Sequence, residues 1–283
     1  MIAATFAPGQ IMSLQAIDHA VIICPNLAQA SAAYVRYLDQ TIHRQAPLDN
    51  DYARKLGLTG MDDAPSAWLG VAGAAPWLLL VQSARAKAAA PFSKAGWMAL
   101  ELAVRDVDAL LPSLQASPFH VLAEPKDLDF SDAIRAMQVQ GPAGEVLYLT
   151  QIKRAVPPFR LPRTQLTVDG PFVAILGSED AGAASAFYLG LGAETRLRFD
   201  TRLGALNQVR GLAPETQHAV ATVELISGHL LEIDAPSCPL AAAMLIDGTE
   251  AGIACVVMSR TQGGELRALR GMASELIGLQ GCR

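Results

Sequence analysis

The sequence predicts an α+β fold made of tandem βαβββ modules, arranged in two domains with the last module abbreviated. Three observations predict it. A strand, a helix and about three strands recur in the same order along the 283 residues. A proline-rich segment divides the chain, and SAAYVRYL at residues 31–38 resembles SAFYLGLG at residues 185–192. A recurring order of elements indicates a repeat architecture, and a plain α+β chain without a true repeat is the alternative.

The dividing segment, KRAVPPFRLPRT at residues 153–164, contains three prolines and four cationic residues. Proline stiffens the chain and removes a donor from the strand ladder. We therefore interpret the segment as an exposed linker. It would join a first domain, residues 13–152, to a second, degenerate domain, residues 165–283.

The first half is predicted to hold two modules. Asn26 and Asp106 each stand before a helical pattern, where a short polar side chain can accept a backbone hydrogen bond. The expected elements are strands at residues 16–24, 66–71, 77–82, 98–104 and 145–152, and helices at residues 27–38 and 107–116.

The second half repeats this order in a shorter form. Strands are expected at residues 172–176, 194–199, 222–227 and 229–233, with a helix at residues 181–191. A last strand at residues 252–258 precedes a predicted helix from Glu265 to about residue 279. Little chain follows that helix, so the fourth module is expected to be abbreviated.

Composition excludes several classes of function. Hydrophobic residues make up 51% of the chain and charged residues 17%, which provides ample material for a core. The net charge of −5 and the lack of a basic stripe argue against nucleic-acid binding. No apolar run approaches the roughly 20 residues that span a bilayer. The four cysteines are scattered without a CxxC pair, which favours reduced thiols in a cytoplasmic protein.

Three segments resemble the vicinal oxygen chelate superfamily, which includes glyoxalase I, extradiol dioxygenases and bleomycin resistance proteins. IDHAVIICPNLAQASAAYVRYL at residues 17–38 is similar to that family's opening strand with a histidine, a capped turn and a helix. MALELAVRDVDALLPSLQ at residues 98–115 resembles the start of the partner module. GPAGEVLYLTQI at residues 141–152 resembles the family's final turn and strand.

The resemblance implies that paired modules curl their sheets into a cup. In such cups, histidine and glutamate from the first and last strands hold a divalent metal that binds an oxygen-bearing substrate. His19 fills a first-strand position and Glu232 a last-strand position, so both are candidate metal ligands. The alternative for Glu232, which we prefer, is an ion pair with Arg196, Arg198 or Arg210. The positions at Ala99 and Tyr148 hold no such ligand. Because the implied set is incomplete, the cofactor stays open, with a divalent metal among the candidates.

His19, Tyr148 and Glu101 are the candidate catalytic residues. A neutral imidazole accepts a proton near pH 7, and a phenol can donate a hydrogen bond to an enolate oxygen. We therefore expect His19 and Tyr148 to face each other across one cup in the first domain. Glu101 would supply a carboxylate there. The alternatives are a histidine satisfied by a local hydrogen bond, a core tyrosine and a solvated glutamate.

Four residues are predicted to contact the substrate. Trp77, Leu79 and Trp97 would form apolar walls of the cup, and His120 would stand at its rim.

The leading hypothesis is an enzyme of this superfamily that acts on a small, partly apolar oxygenated substrate. The reaction would pass through an enol or enolate, as in lyase, isomerase or ring-opening chemistry. One alternative is a metal-free protein that binds a small molecule, as bleomycin resistance proteins do. Another is an Fe(II) extradiol-type dioxygenase. A homodimer is also expected, because association covers open sheet edges.

Overall fold

This computed structural model describes residues 13–129 and 131–282. Within them, the helices are α1 (Leu27–Tyr37), α2 (Asn50–Leu56), α3 (Val107–Gln115), α4 (Ala181–Gly190) and α5 (Gly204–Arg210). The strands of the first half are β1 (Leu14–Cys24), β2 (Thr41–Pro47), β3 (Pro65–Gly70), β4 (Leu78–Gln82), β5 (Lys87–Ala88), β6 (Gly96–Val104), β7 (His120–Leu128), β8 (Ser131–Gln140) and β9 (Val146–Ile152). Those of the second half are β10 (Val168–Gly177), β11 (Glu194–Arg202), β12 (Gln217–Glu224), β13 (Leu230–Ala235), β14 (Glu250–Arg260), β15 (Arg267–Arg270) and β16 (Leu276–Gly281).

The strands form two eight-stranded sheets. One has the order β15-β16-β14-β1-β4-β3-β2, with β5 beside β14, and the other has the order β11-β12-β13-β10-β6-β9-β8-β7. Module one runs from β1 to β4, module two from β6 to β9, module three from β10 to β13, and module four from β14 to β16. The predicted α+β fold of βαβββ modules with an abbreviated last module is confirmed.

The pairing of the modules differs from the expectation. Strand β1 pairs with β14, so module one shares its sheet with module four. Strand β6 pairs with β10, so modules two and three form the other sheet. The expectation that the first half alone forms a complete cup is therefore wrong. The division into domains at residues 153–164 stays a prediction.

The helix N-caps follow the sequence closely. Asn26 Oδ1 accepts a 3.0 Å hydrogen bond from the Gln29 amide, and Asp106 Oδ1 accepts one of 3.1 Å from the Ala109 amide. Each cap satisfies a backbone donor that the first helical turn leaves unpaired. The caps hold α1 and α3 at the ends of β1 and β6, on corresponding sides of the two sheets.

The predicted fourth helix is wrong. Residues 267–281 form the hairpin of β15 and β16 instead. Gly271 begins the turn, and its amide donates a 3.0 Å hydrogen bond to the Glu275 carbonyl. The Glu275 carboxylate accepts a further 2.9 Å bond from the Ala273 amide. These local bonds fix a turn where the spacing of apolar residues alone favours a helix.

One face of each sheet packs into a common core with α1, α3 and α4. The opposite, concave face of each sheet carries its own smaller apolar cluster. The segment between β9 and β10 is fastened by Arg160, whose guanidinium lies 2.8 Å from the buried Glu224 carboxylate. Among the described residues, no helix is long and apolar enough to cross a membrane.

Candidate functional site

Each concave face holds a cavity. The acid cup, of about 790 Å³, is lined by Glu101, Tyr148 and Glu232 on the sheet of modules two and three. The histidine cup, of about 800 Å³, is lined by His19, Tyr52 and Trp68 on the sheet of modules one and four. Both volumes suit a drug-sized molecule.

Strand register brings the acid-cup residues together. Glu101 on β6 lies opposite Tyr148 on the parallel strand β9. Strand β10 lies on the other side of β6, and β13 lies beyond β10. Glu232 on β13 is the ladder partner of Ile175 on β10. Side chains alternate between faces of a strand, so Glu232 and Asp234 share the concave face. The register of these neighbouring strands therefore directs Glu101, Glu232 and Tyr148 towards one cavity, and Asp234 lies buried on the same face.

Burial makes these acids unusually weak. Burial first, and then the charge of Glu232, raise the pKa of Glu101 to about 8, against the opposing effect of the Thr150 hydroxyl. Burial likewise raises the pKa of Glu232 to about 7. The pKa of Asp234 lies well above its usual range because of burial and the charge of Glu232. Near neutral pH the cup therefore holds protons on some of its carboxyls.

Tyr148 remains a neutral phenol in this setting. Burial first, and then the charges of Asp234, Glu232 and Glu101, raise its pKa well above the ordinary value of a tyrosine. The edge of its ring contacts Phe92 at a centroid distance of 6.4 Å. A phenol that keeps its proton can act as a hydrogen-bond donor to a bound oxygen.

The walls of the acid cup are largely apolar, and the cations at its rim are already paired. Lys126 and Arg202 reach Asp129 at 2.9 Å and 2.6 Å. Phe199 and Val220 contribute apolar wall to this cavity. These cations are therefore held at the rim and do not neutralise the carboxyls of the cup.

The histidine cup has a different polar set. His19 is only 5% exposed, and its Nε2 lies 2.6 Å from the Tyr52 hydroxyl. Its ring also meets Trp68 edge-on at a centroid distance of 4.9 Å. Tyr52 stands in the first turn of α2, where its amide donates a 2.8 Å hydrogen bond to Asp49. A short inserted helix thus carries the phenol that contacts the histidine.

The structure brings together three predicted residues and separates the fourth. Tyr148, Glu101 and Glu232 line the acid cup, whereas His19 lines the histidine cup. The predicted pairing of His19 with Tyr148 is wrong, because β1 and β9 lie in different sheets. For the same reason His19 and Glu232 do not ligate one metal ion.

The predicted wall residues lie elsewhere. Trp77 is 4% exposed in the common core, where its Nε1 donates a 2.8 Å hydrogen bond to Gln40. Trp97 packs against the same core, and its Nε1 donates a 2.7 Å bond to the Leu276 carbonyl. A register shift in the pairing of β6 with β10, between Trp97 and Ala99, turns the tryptophan away from the concave face. Trp77 and Trp97 are therefore not cup walls.

Leu79 and His120 have intermediate placements. Leu79 belongs to the fully buried cluster on the concave face beneath the histidine cup. His120 is exposed at the start of β7, next to Val121, which lines the acid cup. Neither residue lines a cavity itself.

Sequence reasoning missed Asp234, which is buried beside the acid cup, and Tyr52, Trp68 and Arg44 of the histidine cup. Asp234 could have been found, since it follows Glu232 by two residues in the strand GHLLEIDA and must share its face. Tyr52 carries no such signal, because only the tertiary position of α2 brings it to His19.

The fold matches solved structures over nearly its whole length. A glutamate-to-glutamine variant of glyoxalase I from Zea mays aligns with a TM-score of 0.65 at 14% identity, covering 95% of this chain and 94% of that one. The unmodified enzyme from Zea mays aligns at 0.61 and 14% identity, covering 94% and 92%. A proposed dioxygenase from Bacillus subtilis aligns at 0.62 and 11% identity, covering 95% and 86%.

The chain has the vicinal oxygen chelate fold. The predicted resemblance is confirmed at the level of the fold. No sequence-family model and no curated protein matches the chain.

The residues do not fit the divalent metal that the vicinal oxygen chelate fold implies. Among the described residues, no group of three or more His, Cys, Asp or Glu side chains could hold a metal ion. In the acid cup, the last-strand position of module two holds Tyr148 and the partner first strand holds Val173 opposite Glu101. Carboxyls that keep their protons are also poor ligands, since a metal binds the deprotonated form.

Proposed function

We propose that this protein is an enzyme that moves a proton on a small, partly apolar, oxygenated substrate bound in the acid cup. The reaction passes through an enol or enolate, and isomerisation is the simplest outcome. Supporting this is the convergence of Glu101, Tyr148 and Glu232 on one cavity with apolar walls. A carboxylate base beside a phenol and a neutral carboxylic acid is a known arrangement for enolate chemistry in other enzymes.

The two glutamates take different roles because, beyond the effect of burial, the charge of Glu232 raises the pKa of the neighbouring Glu101. Glu232 supplies the carboxylate that accepts a proton. Glu101 keeps its proton beside that charge and donates a hydrogen bond. Tyr148 donates the second hydrogen bond to the same substrate oxygen. Donors fixed before the reaction stabilise the developing oxyanion more than water does.

The proposed step conserves atoms and electrons without another reactant. Glu232 takes a proton from the carbon next to a substrate carbonyl, and the C–H electron pair forms a carbon–carbon double bond. The carbonyl π electrons move onto oxygen, where Tyr148 and Glu101 stabilise the charge. In a β,γ-unsaturated ketone the enolate is conjugated. Protonated Glu232 then returns the proton to the γ carbon, while the oxygen electrons re-form the carbonyl and the remaining double bond moves into conjugation. The substrate leaves as an isomer, and each side chain regains its starting state.

Deuterium exchange tests this proposal. The protein is incubated in D₂O with cyclohex-3-en-1-one and related small ketones, and mass spectrometry reads the deuterium gained. Binding of 2-naphthol, which mimics an enol, is measured in parallel. We expect Glu232→Gln to slow exchange by about 100-fold or more, since general base catalysis contributes that much. We expect Tyr148→Phe to weaken binding of 2-naphthol.

A matched control is Glu215→Gln, at an exposed loop position outside both cups, which is expected to behave as the wild type. Exchange by Glu232→Gln at the wild-type rate contradicts the proposal. So does binding of 2-naphthol that is unchanged by Tyr148→Phe.

A second candidate is a small-molecule binding protein without turnover. The two cups have nearly equal volumes, but only the acid cup carries Glu101, Glu232 and Tyr148. A cavity of this size therefore exists in the chain without the proposed catalytic residues, which favours binding alone. This candidate predicts that 2-naphthol binds while no ketone gains deuterium above the buffer rate. The same pair of measurements therefore separates the two candidates.

A homodimer in the cytoplasm remains part of the proposal. Each sheet joins two modules of one chain, so both cups are built without a partner. The dimer would then cover strand edges rather than complete a site. Sedimentation of the purified chain tests it, and a monomer at micromolar concentration contradicts it.

A further inference from the structure

The histidine cup differs from the acid cup because its carboxylates are already bonded to neighbouring groups. Three carboxylates line this cup, and each of them has a partner. Asp18 accepts a 2.5 Å hydrogen bond from the Gln280 amide nitrogen, and Asp49 caps α2. Asp51 pairs with Lys55 at 2.9 Å and also contacts Arg54. The acidic residues of this cup are therefore committed to local contacts.

Arg44 is the exception among the charged residues of the cup. It lies on the edge strand β2, exposed, and lines the cavity. In residues 13–129 and 131–282 it has no ion pair and no side-chain hydrogen bond. It is the ladder partner of Trp68 on β3, so the guanidinium and the indole flank the same side of the cup.

The floor of the cup is aromatic and polar at once. Tyr52 and Trp68 meet edge-on at a centroid distance of 6.0 Å, and both contact His19. Pro47 and Pro76 add apolar wall. A flat ring fits between such side chains, which prefer edge and offset contacts with another ring. An arginine at the rim offers a fork of donors that matches a carboxylate.

We propose that the histidine cup is a second ligand site and that it binds a small aromatic carboxylate. Arg44 binds the carboxylate of the ligand, and Tyr52 and Trp68 pack against its aromatic ring. The His19–Tyr52 pair contacts a polar group of the ligand at the end of the ring away from the carboxylate. This site is independent of the reaction proposed for the acid cup, whose buried carboxyls disfavour an anion. One chain thus offers two cups of similar size with opposite charge preference.

Indole resonances provide a direct test, because the chain has three tryptophans and only Trp68 lines a cup. The full-length protein is titrated with sodium benzoate, and the three indole N–H signals are followed by ¹H–¹⁵N NMR. Trp68→Phe assigns the responding signal. The indoles of Trp77 and Trp97, hydrogen bonded within the core, serve as internal references.

We expect a saturable shift of the Trp68 signal alone, with no such shift when uncharged benzamide replaces benzoate. Arg44→Gln should weaken benzoate binding at least ten-fold. The matched control Arg163→Gln, exposed and outside both cups, should leave it unchanged. A Trp68 signal that does not move, that moves equally with benzamide, or that keeps its affinity in Arg44→Gln overturns the proposal. Deuterium exchange in the acid cup is read separately, so the two proposals fail independently.

Discussion

The Tyr34 hydroxyl donates a 2.8 Å hydrogen bond to the buried carboxylate of Glu145. Tyr34 lies on α1 of module one, and Glu145 lies in the turn before β9 of module two, so the bond joins two modules of different sheets. Tyr188 of module three makes the same 2.7 Å bond to Glu275 of module four. The two halves of the chain therefore repeat a specific contact as well as an order of elements.

Removal of this phenol should destabilise the fold. Tyr34→Phe leaves Glu145 with its bond from the Ala143 amide but without its side-chain donor. Loss of one partner from a buried group costs about 1–3 kcal/mol. Urea unfolding measures the loss, and Tyr188→Phe should give a loss of similar size. Tyr37→Phe, at a half-buried position next to Arg36, is the matched control. An unchanged midpoint in Tyr34→Phe would show that the bond contributes nothing.

Stability should fall as the pH rises from 6.5 to 8. Burial raises the pKa of Glu101 to about 8 and the pKa values of Glu145 and Glu232 to about 7. Unfolded glutamates titrate near 4.3, so the folded state binds more protons across this window. Each proton that the folded state binds in excess of the unfolded state lowers the free energy of unfolding by about 1.4 kcal/mol per pH unit. His218 and His229 act in the opposite sense near pH 6.5, because burial depresses their pKa values while unfolded histidines titrate near 6.5.

Urea unfolding at pH 6.5, 7, 7.5 and 8 measures this slope. Glu101→Gln should flatten it, whereas Glu215→Gln should keep the wild-type slope. A free energy of unfolding that rises or stays level across the window would contradict the raised pKa values.

Packing explains why the histidine cup has no counterpart of Tyr148. The segment GMASELIGL at residues 271–279 matches GPAGEVLYL at residues 141–149, with Gly278 in the place of Tyr148. A Cβ atom at Gly278 would lie 2.7 Å from a Val257 methyl and 2.9 Å from a Leu56 methyl. Gly278→Ala should therefore lower the free energy of unfolding by about 1–3 kcal/mol through overpacking. Gly190→Ala, with open space around its Cβ, should not; equal effects would refute the packing explanation.

Local patterns predicted much of this molecule. The caps at Asn26 and Asp106 and the modules that begin at β1, β6 and β10 follow from nearest-neighbour chemistry and hydrophobic alternation. The concave placement of Tyr148 and Glu232 was implied by the family resemblance, and that of Glu101 followed from alternation along its strand relative to Ala99. These features depend on contacts within a few residues, which is why the sequence alone indicates them.

The pairing of modules was not predictable in this way. Whether β1 meets β6 or β14 depends on long-range packing, and that choice separates His19 from Tyr148. The register shift beside Trp97 and the approach of Tyr52 to His19 have the same origin. The fourth module was misassigned because ELRALRGMASELIGL has helical spacing, although its match to GPAGEVLYL was a signal for a hairpin.

Direct titration of Glu101 and Glu232 tests the central claim, that the acid cup holds a weakly acidic carboxyl pair at neutral pH. Glutamate is labelled with ¹³C at the side-chain carboxyl, and Glu101→Gln and Glu232→Gln assign the two resonances. We predict apparent pKa values for the pair well above those of exposed glutamates. We also predict that the pKa of Glu101 falls in Glu232→Gln, because the neighbouring charge is gone. Titration of both residues near 4.3, as in unfolded chains, would contradict the account.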